Sequence, residues 1–120
     1  MEAQVLLKDI IKDTIIINQA LEAKKIDIAL SVLKRRSERI TLFKSLEDKT
    51  DEALWILLEH FRVENDNCIL NFKKLRTHFE EELMELKRKK QDVHFANKVN
   101  HKYKLAEAFL VGNRFDSNKI

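Results

Sequence analysis

Proline is absent from this 120-residue chain, glycine occurs once, at Gly112, and cysteine once, at Cys68. Tight β-turns and loop-rich folds draw on proline and glycine, so this vocabulary all but excludes them. A single cysteine rules out an intramolecular disulfide and a thiolate metal cage, and it suits a reducing compartment. A phosphate-binding loop needs clustered glycines, which the chain lacks. No apolar run approaches the roughly eighteen residues of a membrane span. Lys8, Asp9, Lys12 and Asp13 interrupt the N-terminal segment too early for a secretory signal. The expectation is a helical, cytoplasmic protein with no membrane span.

Hydrophobic residues make up 44% of the sequence and charged residues 36%. That apolar content argues against disorder, and the length suits one domain with a modest core. The net charge of +3 is unevenly distributed. Residues 1–50 carry ten basic and eight acidic side chains, and residues 51–86 carry four and nine. Residues 87–120 carry nine basic and three acidic. An acidic centre therefore precedes a basic C-terminal segment.

Apolar spacing predicts an all-α protein, an elongated antiparallel bundle of three main helices with a weaker fourth helix or tail. The bundle would occupy 1–92, with helices at about 3–24, 28–46 and 51–91, and the basic tail 93–120. In the first helix, Ala3, Leu7, Ile10, Thr14, Ile17 and Leu21 follow 3-4 spacing. In the second, the stripe is Ala29/Leu30, Leu33, Ser37, Ile40 and Phe43, with Lys34, Arg35, Arg36 and Arg39 on the remaining surface. Asp27 is placed to cap this helix, and Thr50 or Asp51 the next.

The third segment is the most regular. Leu54, Leu58, Phe61, Asn65, Cys68, Phe72, Leu75, Phe79, Leu83 and Leu86 step by three and four with a single 4-4 step. Unbroken, it would reach about 60 Å, and two helices near 30 Å cannot cover it. Apolar surface remains for another element or another molecule. In the tail, Ala96, Val99, Tyr103, Ala106 and Leu110 keep helical spacing, and Gly112 is placed as a stop. This short helix, rich in Lys, His and Asn, would dock loosely over the third, its lysines near Glu80 to Glu85.

Catalytic and metal chemistry find little purchase. His60, His78, His94 and His101 all lack an acidic residue three positions before them, as a bundle-type di-metal site requires. His78 and Glu82 read as a surface pair, and Cys68, on the apolar stripe, as a buried structural thiol. No enzyme, cofactor or metal is implied. Lys87-Arg88-Lys89-Lys90 would suit phosphates. Four nearby glutamates and the helix C-terminus give those cations partners instead, so nucleic acid is not the primary partner. Asn65 in the seam reads as a register-setting polar residue, with a helix bend or an exposed patch as alternatives.

Three stretches, taken in order, carry a resemblance. Ile26-Asp27-Ile28-Ala29-Leu30 leads into Lys34-Arg35-Arg36-Ser37-Glu38-Arg39-Ile40. Asn65-Asp66-Asn67 leads through Phe72 to Leu83-Met84-Glu85-Leu86-Lys87-Arg88-Lys89-Lys90. Lys102-Tyr103-Lys104 precedes Gly112-Asn113-Arg114-Phe115-Asp116. The chain thereby resembles the small flagellar type III export chaperones of the FliT/FlgN type, with the tail closest to FliT-like members. The resemblance implies a cytoplasmic chaperone that holds an unpolymerised filament-cap protein by a helical segment. Hook-associated proteins of the hook–filament junction are the alternative clients, and export-apparatus components are further partners. On the residues themselves, client contact is expected at Ile69, Phe72, Phe79 and Leu83 of the third helix, with Tyr103 from the tail. A helical adaptor, or a homodimer paired through the third helix, is the competing reading.

Overall fold

Three consecutive isoleucines, Ile15 to Ile17, suit a strand as well as a helix, and burial decides between them. In the computed structural model Ile17 is fully buried, Ile15 is half-buried and Ile16 is exposed. That is the phase of a helix against a core. The structure describes residues 3–46, 51–89 and 94–112. These form α1 (Ala3–Glu22), α2 (Ile26–Ser45), α3 (Glu52–Arg88) and α4 (His94–Gly112). Thr50, the Glu47–Thr50 turn, the Gln91–Val93 turn, and residues 113–120 with the Asn113–Asp116 motif lie outside the described residues.

The turn between α1 and α2 is built from backbone hydrogen bonds. The Lys25 N–H donates to the Ala20 carbonyl at 2.8 Å and the Lys24 N–H to that of Leu21 at 3.1 Å. This pairing is a Schellman motif, and Lys24 takes its left-handed position at φ 59° without being glycine. The turn is so short that Lys25 ends one motif and is also the N-cap of α2. The expectation that Asp27 caps α2 therefore fails. Asp27 sits inside the first turn and pairs with Lys102 of α4 at 2.6 Å. Asp51 does cap α3, its Oδ1 accepting from the Ala53 N–H at 3.0 Å.

α1 and α3 run parallel, α2 and α4 opposite to them. Gln4 reaches Asp51, Thr14 accepts from Cys68, and Asn71 reaches Asn18, so α1 and α3 advance in step. α1 packs on α2 and α3, and α4 packs on the same two helices, which places α4 diagonally across from α1. At 1.5 Å per residue α3 is about 55 Å long, close to the longest dimension of 57 Å, against 23 and 20 Å across. The radius of gyration is 16.6 Å, above the ~13–14 Å of a compact domain this size. The bundle is elongated, as its sequence predicts.

The core has two parts. One gathers Leu6, Leu7, Ile10 and Ile11 of α1 with Ile40 and Phe43 of α2 and Leu54, Leu58 and Phe61 of α3. The other gathers Ile17 and Leu21, Leu30 and Leu33, and Cys68, Phe72 and Leu75 with Tyr103, Ala106 and Leu110 of α4. Between them lies a polar layer. Arg36 is fully buried and donates to Asn65 Oδ1 at 2.7 Å and to Thr14 Oγ1 at 3.1 Å, with its guanidinium 5.5 Å from the Phe61 ring centroid. Nε and Nη2 of Arg36 have no hydrogen-bond partner. Burial lowers its pKa to about 10 despite the raising influence of Cys68 and Asp13. The assignment of Arg36 to the surface of the second helix is thus corrected. Asn65 is buried with a partner, as a register-setting residue should be. On the flank of this layer, buried Asp13 receives Arg35 at 2.6 Å and Arg39 at 2.7 Å.

Candidate helix-binding groove between the third and fourth helices

α4 presents Ala96, Tyr103, Ala106 and Leu110 inward, all buried. Tyr103 is its wedge. The ring stacks on Phe79 with centroids 4.9 Å apart and meets Phe72 at 6.0 Å and 44°. Burial, then the charge of Glu82, pushes its phenol pKa up. α4 thus contributes four side chains to the core, and it packs on α2 as well as α3, where docking over the third helix alone is the expectation. Among the described residues, no ion pair joins a lysine of α4 to Glu80–Glu85. Those of α4 run from Lys102 to Asp27 and from Arg76 of α3 to Glu107.

Because α4 leans on α2 as well as α3, a groove of about 330 Å³ stays open along the α3/α4 seam. Phe72, Leu110 and Ile69 make its apolar floor, and Val111 stands half-exposed at one end. Lys73 and Glu80 lie on the rim from α3, and Glu107 on the rim from α4. Arg76 bridges Glu80, at 3.2 Å, and Glu107 across the seam, which ties the two walls together. Lys73 is exposed beside this cluster and adds positive charge to the rim. Such a recess takes apolar anchor side chains from a helix lying over it, with a charged rim to orient them.

Of the residues expected to contact a partner, the groove brings together Ile69 and Phe72. Ile69 is half-buried and accessible, whereas Phe72, 3% exposed, is floor. Phe79 is half-buried against Tyr103, itself 5% exposed, so these two shape the seam from beneath. Leu83 lies further along α3, half-buried and outside the lining. Lys73, Arg76, Glu107 and Val111 line the groove without having been singled out, and Leu110 joins them from the apolar stripe of the tail. Only the 31-residue separation closed by Arg76 and Glu107 puts them together, and no local spacing signals it.

Chemistry elsewhere is sparse. The Cys68 thiol is fully buried, donates to the Thr14 carbonyl at 3.2 Å, and is pushed by burial up to about 12. It is a core thiol. His78 pairs with Glu82 at 2.9 Å on the surface. Among the described residues no group of three or more His, Cys, Asp or Glu could hold a metal ion, and no described helix is long and apolar enough to cross a membrane. No family model, curated protein or solved structure matches the chain.

Proposed function

We propose that this chain is an export chaperone that receives the apolar face of a partner's amphipathic helix in the α3/α4 groove. Its client is an unpolymerised flagellar filament-cap protein, kept from assembling until it is exported; a hook-associated protein is the alternative client of the same class. The resemblance in sequence supports the client class. The observation that carries the mode of binding is the apolar floor of Ile69, Phe72 and Leu110 open between charged rims. Each large apolar anchor seated there contributes about 1.5–3 kcal/mol. Arg76 holds the seam, so the recess exists before a helix arrives and little ordering cost is incurred on binding.

Calorimetric titration of the full chain with purified filament-cap and hook-associated proteins tests this reading. Ile69→Glu places a charge on the accessible edge of the floor and should weaken binding by about tenfold or more. Leu42→Glu, an equally simple change on exposed α2 surface, should leave it unchanged. Binding by neither client, or equal losses from the two variants, would overturn the proposal.

A further inference from the structure

α3 carries a second apolar series on the side turned away from its core seam. Ile56, Val63, Leu70 and Met84 are 73%, 47%, 53% and 71% exposed, and exposed Thr77 completes the seven-residue step. Seven residues are nearly two helical turns, so the five form one slowly drifting strip. The core-facing side chains of α3 are Leu54, Leu58, Phe61, Asn65, Cys68, Phe72 and Leu75. None of the five belongs to either part of the core.

We propose that this strip is a self-association surface on which a second copy of the chain docks antiparallel, with the two-fold axis at Leu70. The charges along the helix select that occupant and direction. Reversed about Leu70, Ile56 falls opposite Met84, Val63 opposite Thr77, and Leu70 opposite its own copy. Asp66 then comes level with Lys73-Lys74 and Glu52 with Lys87-Arg88, each pairing formed twice by symmetry, with Arg88 already bound to Glu85. Arg62 of the same helix approaches Asp66 only at 3.7 Å. A parallel, in-register pair would instead set Lys73-Lys74 beside Lys73-Lys74 and Glu80-Glu81-Glu82 beside itself, which like-charge repulsion disfavours. The antiparallel register brings Glu59 opposite Glu81. Arg62 already binds the Glu59 carboxylate and holds its pKa below the usual range, which blunts that repulsion.

The strip is narrow and its flanks are charged, so the dimer should be reversible. A helix pair of this length buries on the order of 1,200 Å² in total, the lower edge of specific interfaces. The strip borders the α3/α4 groove at Lys73, three residues from Leu70, and its test does not use the client.

Sedimentation equilibrium of the full chain over a range from about 1 to 500 μM should show a monomer–dimer equilibrium, as expected for an interface of this size. Leu70→Asp, at an exposed site, should weaken it about tenfold or more. Asp66→Lys should weaken it, and Lys74→Asp added to that variant should restore it. Disulfide trapping reads the direction. Leu70→Cys should link to its copy, whereas Val63→Cys, about 20 Å from its copy in this register, should not. Mixed Ile56→Cys and Met84→Cys chains should link to each other, and native Cys68, fully buried, stays out of reach. A chain monomeric throughout, a dimer indifferent to Leu70→Asp, or Val63→Cys linking as fast as Leu70→Cys would each overturn the proposal.

Discussion

The two parts of the core are built from one continuous seam on α3 yet are closed differently. From Leu54 to Phe61 that seam faces α1 and α2, and the cluster there contains no residue of α4. From Cys68 to Leu75 the same 3-4 spacing continues, and α4 adds Tyr103, Ala106 and Leu110 to the cluster. Three helices, α1, α2 and α3, make up the first part. In the second, α4 must satisfy both α2 and α3, and the compromise leaves the groove. Identical periodicity on α3 is therefore met by different neighbours, depending on what arrives from elsewhere in the chain.

The buried layer of Thr14, Arg36 and Asn65 separates these parts, and disrupting it should produce the largest effect. Arg36→Ala removes the donor to both partners and leaves a cavity beside Phe61. Truncating a buried side chain of this size costs about 2–5 kcal/mol through the cavity left behind, and Asn65 Oδ1 loses its donor. Urea denaturation would measure it. The double variant Arg36→Met with Asn65→Leu, which takes both polar groups out of the interior, should recover most of the loss.

Tyr103→Ala tests the four-helix part alone. It removes the stack on Phe79 and the contact with Phe72, for a loss of about 2–3 kcal/mol. Hydrogen exchange should quicken in α4 and the C-terminal half of α3. Amides around Ile10, Ile40 and Leu58 should change little. Uniform acceleration would mean that the two parts open together, and the comparison would collapse to a single cooperative core.

The smallest effect belongs to the α1–α2 turn. Lys24 holds φ 59°, a conformation that disfavours a side chain and favours glycine, so Lys24→Gly should stabilise the protein by about 1 kcal/mol. A small upward shift in melting temperature would register it. A loss of stability would show that the lysine side chain makes a compensating contribution.

Arg36 shows what kind of information was hard to read. Ala29, Leu33, Arg36, Ile40 and Phe43 follow 4-3-4-3 steps, so its phase was visible. Its setting among Lys34, Arg35 and Arg39 made it look like one more solvated cation, and Ser37 took its place in the expected stripe. Asn65 was legible because a lone polar residue in a long apolar seam stands out. Of the groove, Ile69 and Phe72 were within reach of a pattern argument, whereas Arg76 and Glu107 were not.

The sequence by itself determined the helices, their order and the elongated shape, because apolar spacing and the scarcity of turn formers act locally along the chain. It also determined the inward face of α3 and the burial of Cys68. Only the tertiary structure decided that Arg36 is interior, that Asp27 pairs with Lys102 instead of capping α2, and that Tyr103 is a wedge. Those outcomes depend on which helices meet, and side chains 22 to 75 residues apart meet only when the packed helices bring them into register. The groove belongs to the same class: its floor is ordinary core spacing, and its opening arises from how α4 divides its contacts between α2 and α3.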